Sequence, residues 1–224
     1  WLDYGTDNYA GVTYNNVPNQ DRIFIGWMSN WDYARNTPTE KWRSAMTVPR
    51  KLALHQVEGE YALANYPIAS VGELTSDTLL PSTEVPVATS DTLYVQGLHQ
   101  SEIRLKTASK QMKLLYKKDK NEVLQVQVAN DTLGVDRRLS GQVDFQENFG
   151  ARIHKAPLFP SKKEQRDFRI LMDRSSMELF VDQGLLVFTE QVFPTEPYHT
   201  LIIVNEDSQH PVLVESIKRM ESVW

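Results

Sequence analysis

Trp1, Trp27, Trp31 and Trp42 all fall within the first 54 residues, and Asp3, Asp7, Asn30 and Asp32 lie close to these rings along the chain. An indole offers a broad apolar face and one N–H donor, which suits either a core or the C–H face of a sugar ring. Carboxylates and amides beside such rings supply the paired acceptors and donors that hydroxyl groups require. These residue types at this spacing therefore fit a carbohydrate subsite. The competing reading is packing for the rings and turn capping for the acids, since Asp beside Gly, as in Asp3-Tyr4-Gly5, is a common turn combination.

Other chemistries find less support. With no cysteine in 224 residues, a thiolate zinc site and a disulfide framework are both excluded. His55, His99, His154, His199 and His210 are scattered without ligand spacing, so no metal or other cofactor is expected. Ser175 and Ser176 lack a G-x-S-x-G elbow and read as turn residues. A net charge of −5 argues against nucleic acid, which needs a clustered cationic surface, and fits an uncharged partner better. The lysines from Lys106 to Lys120 read as a solvated face of the kind edge strands use to discourage sheet pairing. Asn130-Asp131-Thr132 is a formal glycosylation sequon, meaningful only in a eukaryotic secretory host. Runs such as LIIV at 201–204 are far too short to span a membrane as a helix.

The elements that must position the candidate residues read as strands. Hydrophobic content of 41% with 24% charged residues describes a globular chain with one large or two modest cores. Asn8 to Tyr14 and Arg22 to Met28 flank the turn formers NNVPNQD and form a hairpin. The run IFIGWM predicts a strand covered on both faces, with Trp27 in the core. SAMTV and the stretches 51–57 and 60–66 around Gly59 continue the pattern. From Pro67 to Pro86, prolines, serines and threonines with little periodicity mark a linker. Beyond it, about eight short strands with turn signals between them predict an antiparallel sandwich; MELFVDQGLLVFTE, with Asp182-Gln183-Gly184 at its tip, is the clearest hairpin. No stretch sustains a helical period, so little helix is expected.

The segments LDYGTDNYA, IGWMSNWDYA and WRSAMTVPRKLAL, in this order, resemble family 32 of the glycoside hydrolases, which contains invertases, inulinases and levanases. GVDRRLSG at 134–141 and DRSSMELFVDQG at 173–184 resemble segments of that family's C-terminal β-sandwich, so the likeness covers nearly the whole chain. The resemblance implies an all-β chain: the last part of a five-bladed β-propeller over 1–68, a linker over 69–86 and an antiparallel β-sandwich over 87–224. It implies the C-terminal portion of a retaining β-fructofuranosidase that removes terminal fructosyl units from fructans or sucrose, outside the cell or in the periplasm. The family's nucleophilic Asp, in a WMNDPNG-like segment, its Arg-Asp-Pro segment and its Glu-Cys acid/base segment are not found in this sequence. The catalytic carboxylates are therefore expected upstream, in the N-terminal propeller portion of the same enzyme, and this chain by itself is expected to be inactive.

By the same resemblance, Asp3 lies near the acid/base and the leaving sugar, and Trp31 walls the fructose pocket. Asn30 adjoins Trp31; Asp7 stays open between pocket and turn, and Tyr9 between a pocket hydroxyl and a core ring. Trp42 and Arg43 read as an aromatic–cationic contact between strands. The other class of function is a non-catalytic carbohydrate-binding or interaction protein.

Overall fold

Alternation such as Leu124, Val126 and Val128 against Gln125 and Gln127 puts apolar side chains on one face of a strand, and burying that face requires a second layer. The computed structural model describes residues 1–80, 85–161 and 163–222. The first strands are β1 (Tyr9–Thr13), β2 (Arg22–Met28), β3 (Ala45–Met46), β4 (Arg50–Val57) and β5 (Glu60–Pro67). A short helix α1 (Ala69–Glu73) precedes β6 (Thr75–Leu80), β7 (Val85–Val87), β8 (Ser90–Tyr94) and β9 (Ser101–Thr107). Then come β10 (Gln111–Lys117), β11 (Val123–Ala129), β12 (Thr132–Leu139), β13 (His154–Pro157) and β14 (Arg166–Asp173). The last are β15 (Ser176–Val181), β16 (Leu186–Gln191), β17 (Thr200–Asn205) and β18 (Val212–Met220).

These strands make three antiparallel sheets. The first runs β1-β2-β4-β5 with β3 beside β2, the second β13-β12-β11-β10-β17-β8, and the third β16-β15-β14-β9-β18-β6 with β7 beside β18. The second and third sheets share one core, in which Leu114, Leu124, Val126 and Ile203 meet Ile103, Leu105, Ile170, Leu179 and Phe188. Burying each such side chain stabilises by about 1.5–3 kcal/mol, so this layer dominates the fold.

The far face of the third sheet is also covered. Leu171, Phe180 and Val187 pack there with Val71 of α1, and Val48, Tyr66 and Ile68 from the first sheet's segment close over them. A sheet buried on both faces has no reason to alternate, and β16, Leu-Val-Phe-Thr-Glu-Gln, is buried at every position. The hairpin tip at Asp182-Gln183-Gly184 reaches β5, where Asn65 N–H donates to the Gly184 carbonyl at 2.9 Å. Gly184 sits at φ +81°, and a Cβ there would collide with the Asn65 backbone, so only glycine fits.

Four expectations are corrected. The stretch 69–86 is not irregular throughout: it holds α1, β6 and the start of β7, both strands pairing with β18, while residues 81–84 lie outside the described residues. Charge-rich β12 adds to the about eight strands expected after residue 86; its pattern is weak because Arg137 stands on the apolar face of Leu133 and Val135, with Asp136 and Arg138 on the other. β10 is an interior strand between β11 and β17 rather than an edge, its Lys113 and Lys117 turned to the polar side. Finally, β2 is not covered on both faces: Phe24, Gly26 and Met28 are buried, whereas Ile23, Ile25 and Trp27 are only half-buried.

Candidate functional site

Strand register assembles the first constellation. Tyr9 of β1 and Met46 of β3 are the cross-strand partners of Trp27 on β2, so the three side chains form a row on one face. Past the end of β2 the chain turns, and Trp31 comes back over that row. Its ring centroid lies 5.2 Å from that of Trp27 and 6.5 Å from that of Tyr9. Trp31 is 67% exposed and Tyr9 52%. Trp27 is thus not a core residue but the half-buried floor of an open aromatic wall. Asn30 fixes the turn: its Nδ2 donates to the Thr6 carbonyl, and its Oδ1 accepts from Asp32 N–H, both at 3.0 Å. Asn30 and Asp32 also rim a polar cavity of about 300 Å³ that Tyr33, Arg137 and His154 help to line.

The two acids of the first loop are elsewhere. Residues 3–7 run along β16, the edge strand of the third sheet, with Tyr4 N–H on the Val187 carbonyl at 2.8 Å and Asp7 N–H on that of Thr189 at 3.2 Å. Asp3 Oδ1 accepts from Thr189 N–H at 2.9 Å and Asp7 Oδ2 from Gln191 N–H at 2.7 Å. The spacing of four residues between the acids thus matches donors two residues apart on the strand, and the acids complete an edge that would otherwise be unpaired. Gly5 permits the approach, because a Cβ there would run into the Thr189 backbone.

Asp3 belongs to a buried ionic cluster. Its oxygens also accept from Gly5 N–H at 3.0 Å, Asn8 Nδ2 at 3.0 Å, Thr189 Oγ1 at 2.6 Å and Arg50 Nη1 at 2.9 Å. Five donors against about four lone-pair sites leave the carboxylate saturated by the protein. Arg50 is fully buried; its Nη2 donates to Glu178 Oε2 at 2.5 Å and Thr189 Oγ1 at 2.6 Å, and its guanidinium lies over the Phe180 ring. Two carboxylates share one guanidinium here. Burial raises Glu178 above the ordinary glutamate value of 4.5, against the pull of Arg50.

Asp7 belongs to a second cluster, equally buried. Arg137 of β12 bonds Asp7 Oδ2 at 2.5 Å, the Phe149 carbonyl at 3.0 Å and the Gln191 carbonyl at 3.1 Å, and stacks on the Phe149 ring at 3.8 Å. The Tyr33 hydroxyl donates to Asp7 Oδ1, and burial with the nearby Asp7 charge pushes the phenol well above its ordinary range. Glu190 Oε1 meets His154 Nδ1 at 2.7 Å, and its Oε2 lies 3.2 Å from Arg137 without hydrogen-bond geometry. Burial raises Glu190 as well.

Of the residues read from sequence, Trp31, Tyr9 and Asn30 meet at the aromatic wall, while Asp3 and Asp7 lie behind it in the two clusters. Asn8 connects the regions: its side chain bonds Asp3 and packs on Gly26, next to Trp27. Arg50, Glu178, Thr189, Arg137 and Glu190 carried no sequence signal, because a charged residue within a strand looks like any solvated position until its partner is known. Among the described residues Trp42 and Arg43 make no cation–π contact; Arg43 donates to the Arg35 and Thr37 carbonyls, and the ring–guanidinium contacts there belong to Arg50, Arg137 and Arg169. Among the described residues no His, Asp and Glu group is arranged to hold a metal ion, and no helix is long and apolar enough to cross a membrane.

The sequence model for the N-terminal domain of glycosyl hydrolases family 32 matches residues 1–67, and that for the family's C-terminal region matches 71–221. The extracellular exo-inulinase of Aspergillus niger is 30% identical over 100% of this chain, which spans 43% of that protein. The levanase of Bacillus subtilis is 30% identical over 100% of the chain, which spans 34% of it. The crystal structure of exo-inulinase from Aspergillus awamori superposes with a TM-score of 0.87 at 27% identity, over 100% of this chain and 45% of that one. The chain therefore spans less than half the length of these relatives.

Proposed function

The chain belongs to family 32 of the glycosyl hydrolases, and from that premise we propose that it is the C-terminal part of a retaining β-fructofuranosidase acting on terminal fructosyl units of fructans or sucrose. The observation that carries this reading is the open aromatic wall of Tyr9, Trp27 and Trp31, aimed outward beside Asn30 and Asp32. A soluble chain has little reason to leave such rings bare unless a sugar or a further layer covers them.

In this reading residues 1–68 end a five-bladed propeller and 87–224 form a β-sandwich, the connection 69–86 contributing α1, β6 and the start of β7, both strands pairing with β18. Most of the large exposed apolar side chains, among them Trp1, Val12, Met46, Leu54 and Tyr61, lie in the first 68 residues, as expected where preceding blades would pack. The partners are a fructose-containing oligo- or polysaccharide and the N-terminal propeller portion of the same enzyme. An extracellular or periplasmic location accords with the extracellular exo-inulinases among the relatives.

In retaining hydrolysis one carboxylate attacks the anomeric carbon and expels the leaving sugar, whose oxygen takes a proton from a second carboxyl group; water then releases the fructose from the covalent intermediate. Both groups would come from outside this segment. Within it, Trp31 and Tyr9 supply the stacking wall, Asn30 holds the turn that presents Trp31, and Asp3 acts on the neighbouring acid/base through its charge, its hydrogen-bonding capacity being already filled. Asp7 anchors the same loop from below. The test is assay of the purified 224-residue chain and of the complete enzyme on sucrose, inulin and levan. Fructose release is expected from the complete enzyme alone; turnover by the chain, free of contaminating hydrolase, would overturn the division of labour.

A further inference from the structure

We propose that Glu178 and Arg50 are positioning residues for Asp3, which makes the third sheet a working part of the fructoside site; this rests on the pocket reading above. Glu178 of β15 and Thr189 of β16 are cross-strand partners on the sheet face that meets the first sheet. Glu178 has two partners there: Val48 N–H donates to its Oε1 at 3.0 Å, and Arg50 Nη2 to its Oε2 at 2.5 Å. Arg50 passes the constraint on, with Nη1 on Asp3 Oδ2 at 2.9 Å and on Asn65 Oδ1 at 2.9 Å. Thr189 closes a ring of hydrogen bonds, accepting from Arg50 Nη2 and donating to Asp3 Oδ2, each at 2.6 Å. Asp3 in turn accepts from Asn8, which packs beside the aromatic wall.

A planar guanidinium gripped on both forks has one orientation, and so has the carboxylate it holds. Asp3 sits in a loop without regular structure of its own. Its orientation is therefore set by groups 47 and 186 residues away in sequence together with the local Gly5 N–H and Asn8 side chain. The two parts of the chain are thereby coupled through the acid on which the pocket depends.

Glu178→Gln tests this. It keeps the shape but leaves one acceptor oxygen for two donors and removes the charge, so an NH₂ faces either Arg50 or Val48 N–H and the grip on the guanidinium loosens. Glu102→Gln is the matched control: it disrupts the buried Glu102–Arg169 pair of the same sheet, at 2.5 Å, without touching Asp3. In the 224-residue chain, the amide signals of Gly5 and Thr189, both donors to Asp3 Oδ1, should move in E178Q and stay in E102Q. In the complete enzyme, E178Q should lower kcat about tenfold or more with little change in KM and displace one limb of the pH–rate profile, since general acid–base help is worth roughly 10²–10⁴-fold. E102Q should lower stability alone.

Unmoved amides would overturn the proposal, as would moved amides with a kcat and pH profile matching the control. Should E178Q not fold, Arg50→Lys, which keeps the charge and loses the fork, carries the same comparison. A complete enzyme without activity on any fructoside would end the pocket reading instead, while the amide signals would still decide whether Glu178 holds Asp3.

Discussion

Replacing Arg137 by leucine removes the guanidinium that Asp7 and Glu190 share. Arg137 is fully buried, donates to Asp7, Thr6, Tyr33 and two backbone carbonyls, and covers the Phe149 ring. Leucine can refill part of the volume over Phe149. It cannot satisfy the Phe149 and Gln191 carbonyls or neutralise two carboxylates that retain only Gln191 N–H and Tyr33 on one side and His154 on the other. Removing one partner of a buried ionic group costs about 3–5 kcal/mol, because the charges left behind have no water. At roughly 2–4 °C per kcal/mol for a chain of this size, the unfolding midpoint should fall by roughly 6–20 °C. The deficit should depend on pH with a definite sign. Burial already raises Glu190 above 4.5, and losing Arg137 raises it further. A folded state with the higher carboxyl pKa binds more protons than the unfolded one, so stability falls as pH rises from the ordinary glutamate value through the raised one. The variant should therefore lag wild type less near about pH 5 than near about pH 8. Urea titrations at both pH values, with Asp7→Asn alone and with Arg137→Leu, complete the cycle; coupling of roughly 0.5–3 kcal/mol is expected. A midpoint loss under about 2 °C, or strict additivity in the cycle, would refute the assignment of a shared counter-charge.

In the complete enzyme, Trp31→Ala should lower fructoside turnover strongly while leaving stability within about 0.5 kcal/mol, as for an exposed side chain; unchanged kinetics would remove it from the pocket. Trp27→Ala should cost less than a core truncation, since the ring is half-buried, yet disturb the wall through lost edge contacts of about 0.5–1.5 kcal/mol, read by denaturant titration and by weaker sugar binding. Asp3→Asn keeps the shape and removes the charge, so one limb of the pH–rate profile should move; an unaltered profile would place Asp3 out of electrostatic reach of the acid/base. Gly184→Ala should lower stability, read by urea titration, by clearly more than the roughly 1 kcal/mol of a left-handed alanine, because its Cβ also meets the Asn65 backbone.

Much of the secondary structure was legible because a strand in contact with one core writes its burial into alternate residues. The alternation from Val123 to Val128 lies in β11, Val123–Ala129, and the Asp182-Gln183-Gly184 turn joins β15 to β16. The aromatic residues of the wall, with Asn30 at the strand end, were likewise visible as types at a spacing. Periodicity reports which face of a strand is apolar, however, and not which layer covers that face. β10 carries lysines like an edge strand yet lies inside its sheet, and Trp27 lies in an apolar run yet half in the open. The charged centres were hidden for the same reason. Asp3 and Asp7 read as loop acids, but their meaning comes from the β16 amides and from Arg50, Glu178, Arg137 and Glu190, all brought up by tertiary packing. A buried charge is stable only beside its partner, and the chain discloses that partner only when the three sheets have closed on one another.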